Sequence, residues 1–426
     1  MNVRIGGNPA LRGEVRVPGD KSIAHRALMF GAIAHGWTRV AGLSRGEDVA
    51  STIRVLGDLG VAISRNDEGA VVQGRGPAAL DARGATLDCG NSGTTIRLLT
   101  GLLAGGAGSF VLTGDASLQK RPMRRIAEPL ALLGARVALA EGGRAPIAVT
   151  GSALRGATVD VAVASAQVKT ALIFAALHAS GPTRLRGALA SRDHTERMLP
   201  LFGGRIDWDG DDIVVPGEQR LRGAFVRVPG DPSSAAFWLA GAAIAPGSDV
   251  AVRDVSINPT RLGFVRALQR MGANVAIEGS DGGGEPVGTL RASGGPLRAI
   301  AIGADDVPDL LDELPLLAVL ATQAAGRTVV RGAAELRVKE SDRIATVAEM
   351  VRALGGSIEE FEDGFAIEGG QALRGGAVRT HGDHRIAMAA AIAALAASGE
   401  TTIEDADCAS VSYPEFFATF AKLEAA

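Results

Sequence analysis

Val15-Arg16-Val17-Pro18-Gly19-Asp20 recurs as Val226-Arg227-Val228-Pro229-Gly230-Asp231, displaced by about half of the 426 residues. Such a repeat marks a chain built as two similar halves. In each copy the proline fixes one backbone dihedral and the glycine frees the next, so both stretches suit crossovers between halves, two strands acting as a hinge. The residues after the two copies differ. Lys21, Ser22 and Arg26 come after the first copy, whereas Pro232, Ser233, Ser234 and an apolar run come after the second. The halves are alike in build and unlike in chemistry.

Beneath this repeat lies a finer one, at Leu59-Gly60-Val61, Leu133-Gly134-Ala135, Phe202-Gly203-Gly204, Met271-Gly272-Ala273 and Leu354-Gly355-Gly356. A glycine just past a helix takes the left-handed conformation that ends it, and strand candidates such as residues 136–140 and 274–277 come next. The spacing of about 70 residues predicts six helix-and-strand modules, each too small to bury its apolar face alone. With 57 glycines and 46% hydrophobic residues, the chain reads as an α/β assembly of short elements and tight turns.

The length suits two to three domains, at a rough 150 residues each, so each half can bury its own core. A net charge of −3, from 44 basic and 47 acidic residues, excludes bulk electrostatic attraction to nucleic acid. Aromatic residues are 4%, with Tyr413 the single tyrosine, too few for a base-stacking platform. No apolar run is long enough to span a membrane, and the Ala-rich residues 386–397 read as a buried helix. Cys89 and Cys408 are too few for a disulfide framework, and Met1-Asn2-Val3-Arg4 opens no signal peptide, so a reduced cytoplasmic compartment is expected.

Phosphate chemistry must then use local clusters. Gly19-Asp20-Lys21-Ser22 leads into an apolar helix with Ser22 and Arg26 on one face at its positive end, a candidate anion site. Asp20 between Gly19 and Lys21, and the missing earlier glycine, exclude a nucleotide-binding P-loop. The small residues of Asp88-Cys89-Gly90-Asn91-Ser92-Gly93-Thr94-Thr95 expose backbone N–H groups before a helix at 96–103. Lys120-Arg121-Pro122-Met123-Arg124-Arg125 gathers four cations, and Arg121, held extended by its proline, can project inward.

Ser165-Ala166-Gln167-Val168-Lys169-Thr170 offers hydroxyl, amide and ammonium groups at another helix start, and Ser191-Arg192-Asp193-His194-Thr195-Glu196-Arg197 is a polar helix start capped by Asp193 or Thr195. Asp305, Asp306, Asp309, Asp312 and Glu313 precede an apolar helix at 314–320, where acids are stabilising with or without a catalytic duty. In Arg337-Val338-Lys339-Glu340-Ser341-Asp342-Arg343 the helical spacings i,i+4 and i,i+3 predict one face bearing Lys339, Glu340 and Arg343. Asp383-His384-Arg385 opens the Ala-rich helix. No third module joins His381, Asp383 and His384 in a metal-ligand spacing, so no metal is expected.

Taken together, Pro18-Gly19-Asp20-Lys21-Ser22, Gly90-Asn91-Ser92-Gly93-Thr94, Lys120-Arg121-Pro122-Met123, Ser165-Ala166-Gln167, the 337–343 segment and Asp383-His384-Arg385 resemble, in order, the motifs of the 5-enolpyruvylshikimate-3-phosphate synthase family. The resemblance spans nearly the whole chain. It implies an α/β fold of two similar domains, each of three βαβαββ-type repeats around buried helices, with the active site in the interdomain cleft. The domains would be residues 1–15 with 227–426, and 16–226, hinged near 13–18 and 224–229. It further implies transfer of the enolpyruvyl group of phosphoenolpyruvate to the 5-hydroxyl of shikimate 3-phosphate, without cofactor, and a monomer.

Carried over by motif, Lys21, Ser22, Arg26, Ser165, Ala166, Gln167, Ser191, Arg192, Asp312 and Lys339 would hold shikimate 3-phosphate. Lys21, Asn91, Gly93, Arg121, Gln167, Arg343 and Arg385 would hold phosphoenolpyruvate. Asp312 is the candidate base toward the hydroxyl, Glu340 the candidate for proton transfer at the methylene carbon, and Lys21 or His384 would assist the departing phosphate. Val411 stands where some members carry lysine. Ser165-Ala166-Gln167 is similar to the glyphosate-tolerant class, whereas Gly93 is the residue type of sensitive members.

Rival readings are an enolpyruvyl transferase acting on UDP-N-acetylglucosamine, a non-catalytic anion-binding relative, and an RNA-end-processing relative. The first carries a cysteine where this chain has Ala116, the second has no need of Asp312, Glu340 and His384 together, and charge and aromatic poverty disfavour the third.

Overall fold

Each copy of the hexapeptide starts in a strand and ends as a helix cap. In the computed structural model, which describes residues 1–7, 9–82, 84–280 and 284–424, strand Arg12–Arg16 runs into the first copy. Asp20 then caps helix Lys21–Ile33 by accepting from the Ile23 amide at 3.0 Å. Strand Phe225–Arg227 runs into the second copy, and Asp231 caps helix Pro232–Ile244 through the Ser233 amide at 2.8 Å.

The chain divides into two compact units, an inserted one of Gly19–Val228 and a terminal one of Met1–Pro18 with Pro229–Ala426. Both crossings fall inside the hexapeptides. Arg12–Arg16 pairs in parallel with Asp249–Ser256, so it stays in the sheet beside the Pro232 helix although it precedes the Lys21 helix in sequence. Phe225–Arg227 pairs in parallel with His35–Ala41, and so stays behind in the inserted unit. The units have exchanged their leading strands. The glycines allow close approach there: a Cβ on Gly19 would intrude on the Gly42 carbonyl oxygen, and one on Gly230 would lie 2.9 Å from the Val17 side chain.

One sheet shows the module. Thr86–Asp88 pairs in parallel with Ser109–Thr113, which pairs antiparallel with Arg144–Thr150, itself antiparallel with Arg136–Ala140. Helices Gly93–Leu103 and Arg124–Ala131 fill the two connections, giving the order βαβαββ. Among the described residues there are six sheets, five of four strands and one of three. The three-stranded sheet departs from the expected repeat: Ala377–Arg379 and Thr401–Glu404 are completed by Val3–Ile5 from the chain's other end. The expected glycines end their helices with positive φ, at Gly60 (83°), Gly134 (88°), Gly203 (75°), Gly272 (83°) and Gly355 (75°).

Each unit is built on three helices that are apolar nearly all round and therefore buried. They are Lys21–Ile33, Gly93–Leu103 and Ala166–Ala176 in the inserted unit, and Pro232–Ile244, Leu314–Gln323 and His384–Ala394 in the terminal one. Each unit has its own core. In one, Phe30 stacks on Phe202 at 5.3 Å and meets Phe174 tilted at 4.8 Å; in the other, Trp238 stacks on Phe416 at 4.9 Å.

Between the helices of the inserted unit runs a buried chain of polar contacts, from His25 Nδ1 to Thr52 Oγ1, to Thr95 Oγ1, to Ser92 Oγ, with steps of 2.6, 2.6 and 2.7 Å. Burial pushes the His25 imidazole down from 6.5 to about 3. Between those values the unfolded chain takes up a proton that the folded chain refuses, so stability is lost as pH falls below about 6.5. From pH 7 to pH 5 the loss from this group is about 2 kcal/mol. Urea titrations at both pH values will show His25→Asn losing less stability by about that amount; identical losses would contradict the assignment.

Candidate functional site

Two polar clusters, one per unit, form where the buried helices begin. In the inserted unit, Lys21 opens its helix and its Nζ lies 2.7 Å from Asp48 Oδ2, in the first turn of helix Glu47–Asp58. Arg26, four residues after Ser22, is 1% exposed. Its guanidinium donates to the Ser22 carbonyl (2.8 Å), Thr170 Oγ1 (2.7 Å), Thr195 Oγ1 (2.7 Å) and, more weakly, the Ala166 carbonyl (3.4 Å). Most of its donors therefore fasten the starts of two buried helices to the His194–Met198 turn. Arg192 reaches Ser22 Oγ at 3.4 Å.

Ser92 and Ser165 cap the Gly93 and Ala166 helices, directing first-turn N–H groups outward beside Asn91, Gly93, Ala166 and Gln167. Gln167 joins the two helices: its Nε2 donates to Thr94 Oγ1 at 3.0 Å and its Oε1 accepts from Arg97 at 2.7 Å. Arg121 sits extended before its proline, 7% exposed, and donates to Asn91 Oδ1 at 2.7 Å. Asn91 in turn donates to Asp115 at 2.7 Å. Two positive helix ends, two guanidiniums and the Gln167 amide thus converge around Asn91 and Gly93, an arrangement suited to an oxyanion.

In the terminal unit the centre is Arg343, 1% exposed. Its guanidinium donates to Asp383 Oδ2 from Nε at 2.9 Å and to Glu340 Oε2 from Nη2 at 2.7 Å, with Asp312 Oδ1 3.5 Å from Nη1. Burial works against its charge, but Asp383, Glu340 and Asp312 outweigh burial and hold Arg343 above the usual arginine value. Burial likewise pushes the Asp383 carboxyl up, and Arg343 pulls it back below its ordinary value. Asp383 also accepts from Ser341 Oγ at 2.9 Å and caps the His384 helix through the Arg385 amide at 2.9 Å.

Asp312 lies 3.7 Å from Lys339 Nζ, which is 3.5 Å from Glu335. Arg385, 7% exposed, approaches Glu313 Oε1 and the Ser233 carbonyl, both at 3.5 Å. His384 is buried at the same helix start.

Local structure corrects three details. Lys339 and Glu340 do not share a helical face with Arg343, because Asp342 caps the helix Arg343–Ala353 through the Ala345 amide and leaves both residues in the preceding turn. Their side chains still converge, through Asp312 and Arg343. The helix after Asn91 starts at Gly93 rather than 96. Asp193 precedes the His194–Met198 turn without a side-chain cap, its carboxylate turned to Arg197 at 2.8 Å.

Arg97, Asp48 and Glu313 escape the sequence reading as site groups. Arg97 carries a readable signal, being four residues after Gly93 and hence on its face of the helix. Asp48 and Glu313 look like ordinary first-turn acids. Val411 is half-buried in the turn Ala406–Val411.

Two three-module units, each gathering cations and carboxylates where buried helices begin, define an α/β enzyme that handles phosphorylated and carboxylated small molecules. A family model described as EPSP synthase (3-phosphoshikimate 1-carboxyvinyltransferase) matches residues 5–420, and the chain belongs to that family. It is 49% identical over 429 residues to the 3-phosphoshikimate 1-carboxyvinyltransferase of Synechococcus sp. (strain WH7803), covering 99% of this chain and 97% of that relative. It is 51% identical over 417 residues to the one from Gloeobacter violaceus, covering 97% and 96%. A solved EPSP synthase from Acinetobacter baumannii matches with a TM-score of 0.86 at 42% identity, over 99% of this chain and 98% of that one.

At Gly93 a Cβ would lie 3.1 Å from both Arg121 Nη1 and Arg97 Nη1, tighter than ordinary packing. Gly93→Ala is expected to displace both guanidiniums while leaving the melting temperature unchanged. Steady-state kinetics will show the KM for phosphoenolpyruvate raised about tenfold; an unchanged KM would mean that this cluster does not receive it.

Proposed function

We infer that the chain transfers the enolpyruvyl group of phosphoenolpyruvate to the 5-hydroxyl of shikimate 3-phosphate, releasing phosphate, in the shikimate pathway to aromatic amino acids. The family match over residues 5–420 carries the activity. The division of roles rests on the two polar clusters. Shikimate 3-phosphate is held by Lys21, Ser22, Ser165, the Ala166 amide, Gln167, Lys339 and the Ser191-Arg192 pair, with Arg26 bracing the helices that present them. Phosphoenolpyruvate is held by Lys21, Asn91, the Gly93 amide, Arg121, Gln167, Arg343 and Arg385. Two substrates bring two phosphates and two carboxylates, and planar guanidiniums engage such groups bidentately.

The chemistry is addition and then elimination. Asp312 removes the proton of the attacking 5-hydroxyl, whose oxygen bonds to C2 of phosphoenolpyruvate as Glu340 delivers a proton to C3. Collapse expels phosphate from C2 while a proton leaves C3 for Glu340, restoring the double bond. Lys21 and His384 stabilise the departing phosphate. Asp312 faces Lys339 at 3.7 Å and Arg343 at 3.5 Å, cations that orient its carboxylate. Glu340 lies 2.7 Å from Arg343, which opposes protonation, so exclusion of water around bound substrates must supply the opposite push.

The rival sugar-nucleotide activity needs a reactive thiol. Ala116 offers none, and burial pushes Cys89 up to about 12 and Cys408 to about 11, keeping both protonated at neutral pH. The enzyme works as a cytoplasmic monomer in this reading, which sedimentation and cell fractionation test.

Phosphate release from phosphoenolpyruvate is expected with shikimate 3-phosphate and not with UDP-N-acetylglucosamine; the reverse would overturn the reading. Asp312→Asn is expected to lose turnover with little change in substrate affinity, and wild-type turnover would remove it as the base. Calorimetric titration should show Arg385→Ala weakening phosphoenolpyruvate binding by about ten- to a hundredfold, the loss of a charge-assisted contact worth roughly 1.5 to 3 kcal/mol.

A further inference from the structure

Lys169 lies in the first turn of the Ala166 helix, two residues beyond Gln167, with its side chain 2% exposed. Its Nζ is 2.7 Å from Glu196 Oε1, whose side chain is 5% exposed. The same ammonium donates to the carbonyls of Leu189 at 3.2 Å and Ser191 at 3.3 Å. Neither Glu196 oxygen is aligned for a hydrogen bond, so the attraction between the two side chains is Coulombic. Such a pair is a poor device for stability, because removing two charges from water costs more than an imperfectly bonded contact returns. Two apolar side chains would hold the helix at least as well. What the ions add is geometry.

The carbonyls that Lys169 grips belong to residues 188–193, which connect strand Thr183–Gly187 to the His194–Met198 turn. That connection carries Ser191 and Arg192. Its far end is fastened to the same helix by the next residue, as Thr170 Oγ1 lies 2.6 Å from Thr195 Oγ1, and Arg26 donates to Thr195 at 2.7 Å. Lys169 thus clamps both sides of the connection: Leu189 and Ser191 before it turns, Glu196 after. Between the clamps, Arg192 is directed to Ser22 at 3.4 Å, at the start of the Lys21 helix.

We propose that Lys169, acting through Glu196 and the Leu189 and Ser191 carbonyls, is a positioning residue that fixes Ser191 and Arg192 for the phosphate-bearing substrate. The proposal rests on the assignment of shikimate 3-phosphate to this cluster. Lys169 itself touches no substrate. It keeps Arg192 from having to be ordered at the moment of binding, and so lowers the cost of recognising one substrate and not the other.

The test uses the full chain. Lys169→Met alone strands a buried carboxylate and can fail to fold, so the deciding variant is Lys169→Met/Glu196→Gln, which removes both charges at similar volume. Two quantities are compared with wild type: steady-state kinetics with each substrate varied, and amide hydrogen exchange of residues 188–193 without ligand. In the double variant the KM for shikimate 3-phosphate is expected to rise about tenfold or more, with kcat and the KM for phosphoenolpyruvate within about threefold. Exchange in 188–193 should be about tenfold faster. Unchanged exchange overturns the proposal whatever the turnover, as does an equal loss toward both substrates. Wild-type protein without shikimate 3-phosphate-dependent phosphate release would instead count against the reaction, and exchange would still decide whether Lys169 holds the segment.

Discussion

A guanidinium removed from water must be compensated, and at Arg343 the compensation organises the terminal unit. Three carboxylates from three separate stretches surround it: Glu340 from the turn before its own helix, Asp383 from the cap of the His384 helix and Asp312 from the turn before Leu314–Gln323. Satisfying one cation therefore fixes where two buried helices begin. It also leaves the acid and base candidates around a fixed positive charge, with Arg385 and Lys339 at its margins. Removing Arg343 would disperse the chemistry and the helix starts together, as a buried carboxylate left unpaired is costly.

In the inserted unit Arg26 donates to a helix carbonyl and to two threonine hydroxyls. With the capped starts of the Lys21, Gly93 and Ala166 helices, this leaves a region of positive potential suited to phosphate. The hexapeptides give both units the same framework, since in each copy the strand remains behind while the aspartate caps the first buried helix of the other unit. One duplicated scaffold thus places charged and polar groups at the starts of three buried helices in each half.

How much of this was legible depends on which physics is local. The hexapeptide crossings and the five helix-ending glycines could be read because proline and positive-φ glycine state their backbone conformation in the sequence. The six modules came from their spacing. The spacing does not reveal the last module's three strands, because one of them, Val3–Ile5, comes from the opposite end of the chain. The i,i+4 spacing of Lys339 and Arg343 looks helical, yet the helix starts only after its cap, Asp342, and so leaves Lys339 and Glu340 outside it. Lys169 has no local signature of its partner, since a cation in an apolar helix declares its purpose only when that partner, here Glu196, is brought to it from elsewhere in the chain.

Under the proposed function, the cationic helix starts of one unit and the carboxylate-ringed Arg343 of the other serve a single pair of anionic substrates. A crystal structure with shikimate 3-phosphate and phosphoenolpyruvate bound tests it most directly. The account predicts the shikimate phosphate on Ser165, Gln167 and Arg192, the phosphoenolpyruvate anions on Arg121, Arg343 and Arg385, and Asp312 within hydrogen-bonding distance of the 5-hydroxyl. Substrates bound away from Arg343, or a 5-hydroxyl out of reach of Asp312, would contradict it.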